Sequence, residues 1–301
     1  MENEVKIYQS CEMPISEEKQ KGTNDDSSLS NEVNQLFEEQ LKNWELARNN
    51  YRALEQVKVK TLYVNGIPYK VQYNPERENR DKAVKIESTH EKKPCFLCGE
   101  NRPIVQKGIP FKENYIILIN PFPIFPQHLT IPELKHTPQL IASRFSDMLD
   151  LAQVLDNYTI FYNGPKCGAS APDHFHFQAG NKGFLPIESN NNWHNAIRVE
   201  SESKQEMLDR FQQIYDSLPL QPNEPEPMLN ILTWYENGQW TTYIFRRKKG
   251  RSNCFDKEGN EQLKINPASV EVGGVFITVR LEDFNKITEK NISDILEEVC
   301  I

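Results

Sequence analysis

Apolar residues at Val33, Leu36, Phe37, Leu41, Trp44, Ala47, Tyr51 and Leu54 recur every three or four positions, which predicts one stripe of an amphipathic helix lying on a core. The period then changes to two. KTLYVNGIPYKVQYN alternates apolar and polar residues around Asn65 and Gly66, a pair suited to a tight turn with positive φ, so it predicts a β-hairpin. The apolar run at 115–120 predicts a buried strand, and the prolines of PFPIFPQH hold the chain extended before a short strand at 128–132. Thr137 and Pro138 predict a cap and first-turn proline for a helix carrying Leu140, Ile141, Phe145, Met148, Leu149, Ala152 and Leu155. A strand at 158–162 follows. In APDHFHFQAG, residues 171–180, strand periodicity sends His174, His176 and Gln178 to one side and Phe175 and Phe177 to the other.

Beyond residue 190 the pattern starts again. A helix with Met207, Leu208, Phe211, Ile214 and Leu218 precedes two strands, NILTWY and TTYIFRR, joined at Asn237 and Gly238. Gly273 and Gly274 precede the strand VFITV, and a helix near 292–299 closes the chain. The predicted class is α+β in two halves, with no repeat between them visible in the sequence. Residues 1–30, ending in GTNDDSSLSN, are too polar to pack and are expected to form a mobile tail; residues 31–93 form a helix and hairpin extension.

A net charge of −8 argues against general nucleic-acid binding, which needs a basic face. No apolar run approaches the roughly 20 residues that span a bilayer, and the N-terminus lacks the basic start and apolar core of a secretory signal. The expected compartment is the cytoplasm. Of the 6 cysteines only Cys95 and Cys98, in PCFLCG, have a recognisable spacing, and in a reducing compartment that pair suggests metal or redox chemistry. Two thiolates plus two imidazoles would make a closed tetrahedral zinc site, and His128, His136, His174 and His176 are all available to complete it. The loop NGPKCGAS, with Lys166 as counter-charge, could approach an anion through its backbone amides. A plain glycine connection between two strands explains the same residues without a ligand.

The run NGPKCGASAPDHFHFQ resembles the histidine-triad superfamily, in the transferase branch where glutamine replaces the third histidine of His-x-His-x-His. NPFPIFPQHLTIPELKH resembles the superfamily's other signature, a strand ending in Ile-Pro followed by a histidine. The branch includes galactose-1-phosphate uridylyltransferase, diadenosine tetraphosphate phosphorylase and GDP-hexose phosphorylases. The resemblance implies an antiparallel sheet with helices in two histidine-triad-like halves. The catalytic, zinc-bearing half would span 94–190, and 191–301 would complete the substrate cleft. It further implies structural zinc on Cys95, Cys98, His136 and His174, a nucleophile at His176, and a phosphoryl-binding amide at Gln178. Asn163, Gly168 and Ser170 match positions that contact ribose or phosphate. Asp173 and Phe175 depart from the usual residues around the histidine pair.

A neutral imidazole is nucleophilic at pH 7 without a separate base, and attack on an α-phosphorus would give a nucleotidyl-histidine that an acceptor phosphate resolves. The expected substrate is a nucleoside diphosphate-hexose or a dinucleoside polyphosphate, with inorganic phosphate as co-substrate; a hydrolase and a non-catalytic nucleotide-binding zinc module are the alternatives. Arg246 and Arg247, in the basic run RRKKGR, are candidates for terminal phosphates. The chemistry requires one ring nitrogen of His176, free of metal, to face an open pocket.

Overall fold

The computed structural model describes residues 6–7, 26–78, 94–191 and 193–301. Most of the expected tail and His90 lie outside them, and from Asp26 onward the tail's last residues already belong to a helix. The expected N-terminal helix is two, α1 (Asp26–Asn43) and α2 (Glu45–Arg52), broken at Trp44, whose backbone is extended. Both keep the apolar stripe, with Val33, Leu36, Phe37, Trp44, Ala47 and Tyr51 buried.

A small sheet combines β1 (Lys6–Ile7), β2 (Lys58–Val64), β3 (Ile67–Tyr73) and β12 (Val275–Thr278), so the predicted hairpin is clamped by a strand from the far end of the chain. Asn65 and Gly66 take φ of 51° and 81°, the left-handed pair that a two-residue hairpin needs.

The main sheet has 8 strands. The first half gives β4 (Gly108–Phe111), β5 (Tyr115–Ile119), β6 (His128–Pro132), β7 (Tyr158–Asn163) and β8 (His176–Asn181). The second gives β9 (Ile197–Ser201), β10 (Leu229–Glu236) and β11 (Gln239–Arg246). The order is β4-β5-β6-β8-β7-β10-β11-β9, with every neighbouring pair antiparallel. Between β6 and β7 runs α3 (Phe145–Val154), and between β9 and β10 runs α4 (Lys204–Ser217). Outward from the central β7–β10 seam both halves therefore have one connectivity: strand, helix, inner strand, middle strand. The repeat is in topology, and the sequence does not carry it.

One core lies between this sheet and α1 to α4; the other, on the opposite face, joins it to the small sheet and to α5 (Ser269–Val272), α6 (Leu281–Lys286) and α7 (Glu289–Val299). The helix expected from Thr137 starts instead at Phe145. Thr137 does not cap it: its hydroxyl donates to Glu133, and its carbonyl accepts from the Phe175 N–H at 2.7 Å. Arg144 ties Glu133 and Thr137 together, with Nη2 3.0 Å from Glu133 Oε2 and 3.1 Å from Thr137 Oγ1. Side-chain and strand-edge bonds thus compete successfully with a helical turn here. Among the described residues no helix is long and apolar enough to cross a membrane.

Candidate functional site

Phe175 and Phe177 sit fully buried in the helix-side core, so alternation along β8 turns His176 and Gln178 to the opposite face. Each buried phenylalanine contributes roughly 2–3 kcal/mol, and a one-residue slip would drive His176 and Gln178 into that core.

Ahead of β8, four side chains converge. The ligand atoms of Cys95, Cys98, His136 and His174 all lie within 4.8 Å of one another. His174 Nδ1 is 3.3 Å from Cys95 Sγ, and His136 Nδ1 is 3.2 Å from Cys98 Sγ. The far nitrogen of each ring faces oxygen: His174 Nε2 donates to the Glu133 carbonyl at 2.8 Å, and His136 Nε2 is 3.7 Å from the Asp173 carboxylate. Such partners leave a bare Nδ1 on His174 aimed at the sulfurs, as in sites where an outer oxygen orients a ligating imidazole. The four residues could hold a metal ion, and His128 and His176 stand outside the group.

His176 is 2% exposed. Its Nδ1–H donates to the His174 carbonyl at 2.9 Å, which leaves Nε2 as the unprotonated nitrogen; Nε2 is buried and has no hydrogen-bond partner among the described residues. Burial pushes this imidazole down to about 4, so it is neutral at pH 7. The ring is free of the thiol group, as expected, but Nε2 does not face an open pocket; it is enclosed. The second half closes over the neighbouring loop: a Cβ on Gly168 would lie 2.5 Å from Ala268 Cβ, and one on Gly250 would lie 2.5 Å from the Lys166 carbonyl.

Gln178 is half-buried, and its Oε1 accepts from His128 Nε2 at 2.9 Å. Because His128 Nδ1 accepts from the Ile124 N–H at 3.2 Å, the His128 proton sits on Nε2 and the Gln178 amide is turned with its NH2 away from His128. Burial holds His128 down at about 3, so this arrangement persists across the neutral range.

The remaining expected residues divide. Gly168 has φ +94°, which requires glycine, and Ser170 is exposed at the loop's end. Lys166 pairs with Glu224. Asn163 points its Oδ1 at three donors, Asn230 Nδ2 at 2.8 Å, the Ser269 N–H at 2.8 Å and Ser269 Oγ at 2.7 Å, so that oxygen fastens α5 to β7 and is not offered to a ribose. Arg247 corrects the expectation of a phosphate-facing cation. It is 2% exposed, and its guanidinium is spent on the carbonyls of Val299, Pro267, Lys249 and Gly250 and on Asn230 Oδ1. Its work is to brace the C-terminal loops. Arg246 is half-buried, with an Nε that has no partner among the described residues.

Three residues escaped sequence reasoning. Gln139, fully buried, accepts from the His176 N–H at 2.7 Å and donates to the carbonyls of His176 at 2.9 Å and Asn163 at 3.1 Å. Glu226 accepts from the Ile141 N–H at 2.9 Å and bonds the Tyr162 hydroxyl, and burial raises it to about 7. Asn230 links Asn163 to Arg247. No periodicity marks a lone buried polar residue; the only signal is that Gln139 follows His136 by three positions.

Two family models match the chain in succession: a domain of unknown function (DUF4922) over residues 36–181, and "GDPGP1-like, C-terminal domain" over residues 199–301. The crystal structure of yeast Ap4A phosphorylase Apa2 superposes with a TM-score of 0.53 at 16% identity, covering 84% of this chain and 95% of that one. The two chains share a fold. The same yeast protein in complex with AMP aligns with a TM-score of 0.52 at 17% identity, over 87% of this chain and 96% of that one. No curated protein matches the chain. The 84% coverage carries the likeness well beyond the quoted motifs.

Proposed function

We propose that the chain is a nucleotidyltransferase of the phosphorylase type, with His176 as nucleophile. One observation carries the reading: a neutral imidazole whose bare Nε2 is directed by an Nδ1–H bond, lies outside the Cys/His quartet and has no partner among the described residues. An unpartnered buried acceptor costs about 1–3 kcal/mol, which suits a site shaped for a guest. The Nε2 lone pair attacks an α-phosphorus, forming P–N as the bond to the leaving oxygen breaks. Phosphate then attacks the same phosphorus, P–N breaks and the ring returns unprotonated at Nε2. The outward NH2 of Gln178 and the amides of the glycine loop would meet the equatorial oxygens. The yeast protein of like fold is an Ap4A phosphorylase and binds AMP, and the C-terminal family model is GDPGP1-like; a dinucleoside polyphosphate or a nucleoside diphosphate-hexose is therefore the donor class.

Zinc is the metal that two thiolates and two imidazoles select, held by Cys95, Cys98, His136 and His174 in a closed structural role. A reducing compartment, the cytoplasm, keeps those thiols available.

Enclosure of Nε2 sets a condition, because the protein around the ring must open for a donor to reach it. It is also the observation that favours the alternative of a non-catalytic zinc-stabilised nucleotide-binding module. Intact mass after incubation with nucleotide sugars and dinucleoside polyphosphates separates the two. We expect a gain of one nucleoside monophosphate, lost in His176→Ala and discharged by inorganic phosphate. An unchanged mass across the panel refutes the transferase reading.

A further inference from the structure

The β7–β8 ladder stops before it reaches the nucleophile. Its register runs from Tyr158 opposite Asn181 to Phe161 opposite Gln178, and two residues further Asn163 would face His176. Those two do not pair; Asn163 continues the sheet on its other side, opposite Asn230 of β10. Into the gap between β7 and β8 comes the side chain of Gln139, from the irregular segment between β6 and α3. Its carbonyl oxygen takes the His176 N–H at 2.7 Å, and its NH2 serves the carbonyls of His176 at 2.9 Å and Asn163 at 3.1 Å. One amide thus stands in for the peptide group that a continuous ladder would have supplied.

Gln139 is itself held at both ends of its backbone. Its carbonyl accepts from the Tyr162 hydroxyl at 2.9 Å, and its N–H donates to the Pro172 carbonyl at 3.4 Å. The orientation of the His176 ring is set by the carbonyl of His174, two residues back in the same backbone. Whatever fixes the main chain at 176 therefore fixes where Nε2 points.

We infer that Gln139 is a positioning residue for His176: its amide bridges the splayed ends of β7 and β8 and thereby aims the nucleophilic nitrogen. This deepens the transferase reading and rests on it. Displacing a reacting atom by about 1 Å costs on the order of 100-fold in rate. Gln139→Met keeps the volume and deletes all three bonds; Gln139→Glu keeps an acceptor for the His176 N–H and deletes both donors.

The test measures single-turnover nucleotidylation, donor KM, bound zinc and the imidazole 15N spectrum. In Gln139→Met we expect kcat to fall by roughly 10- to 100-fold with KM and zinc content unchanged, and the single His176 tautomer, protonated at Nδ1, to give way to a mixture. Gln139→Glu should also lose kcat. A wild-type kcat in Gln139→Met, or a loss confined to KM or accompanied by zinc release, overturns the inference. Should neither variant fold, the unmodified protein decides: a scalar coupling across the hydrogen bond between the His176 amide nitrogen and the Gln139 side-chain carbonyl supports the bridge, and its absence overturns it. The tautomer and coupling measurements involve no nucleotide. An unreactive protein with an intact bridge therefore sinks the transferase reading alone, and full labelling without the bridge sinks this one alone.

Discussion

Two glycines in left-handed backbone separate strain from contact. Gly168 at φ +94° and Gly183 at φ +86° both carry a conformation that L side chains resist, but only Gly168 has a neighbour in the way, Ala268 Cβ at 2.5 Å, whereas an added Cβ at Gly183 meets nothing within 4 Å. Gly183→Ala should cost about 1 kcal/mol, the backbone penalty alone. Gly168→Ala adds a clash with the second half and should cost about 2–4 kcal/mol. Urea unfolding of the pair measures the difference, and equal losses would show that the segment near Ala268 yields freely. Of the single residues named from the motifs, Gly168 sits in left-handed backbone, while the side chains of Asn163 and Arg247 are held by other parts of the chain. Asn163 Oδ1 meets Asn230 and Ser269, 67 and 106 positions away, and Arg247 reaches Pro267 and Val299, 20 and 52 positions away. No local pattern encodes partners at that distance.

At the scale of elements, the Cys-x-x-Cys turn, the segment after β6 and the residues just before β8 meet in the thiol–imidazole quartet. Cys95→Ser and His136→Ala should each release zinc and lower stability by several kcal/mol, because a structural site contributes its binding free energy to folding. Metal content by mass spectrometry beside thermal unfolding tests this, and full zinc content in both variants refutes the ligand assignment. The strands on either side were legible because their signals are local: Asn65 and Gly66 turn a hairpin, and Phe175 and Phe177 alternate with His176 and Gln178. The segment after β6 was not legible. Thr137, Pro138 and the apolar residues beyond them fit a helix start, yet Glu133 and Arg144 take up the Thr137 hydroxyl and the Phe175 N–H takes its carbonyl. Only with those residues in helix-free backbone can Gln139 turn inward to His176, so the miss at the element level and the miss of Gln139 have one cause.

Across the whole molecule, three carboxyls are desolvated by their surroundings. Glu226 precedes β10 and bonds Ile141 and Tyr162 of the first half; Glu188 bonds Thr159 of β7 and the Leu185 N–H; Glu271 in α5 accepts from the Ala268 N–H at 2.9 Å. Burial raises each of them from 4.5 to about 7. The folded chain therefore holds three protons that the unfolded chain surrenders near 4.5, so between that pH and about 7 these groups make stability fall as pH rises. His128 acts in the opposite sense. Burial lowers it from 6.5 to about 3, so the unfolded chain binds its proton first and stability rises with pH across that window. The two trends oppose each other up to about 6.5, and above it the carboxyls act alone. Glu226→Gln removes one carboxyl and keeps an amide oxygen for the Ile141 N–H. Its unfolding free energy should decline less than that of the parent from pH 6 to pH 8, by roughly 1 kcal/mol, at saturating zinc. Parallel profiles for the two proteins would mean that Glu226 is ionised in the fold at neutral pH, with the Tyr162 hydroxyl donating to it and not to the carbonyl of Gln139.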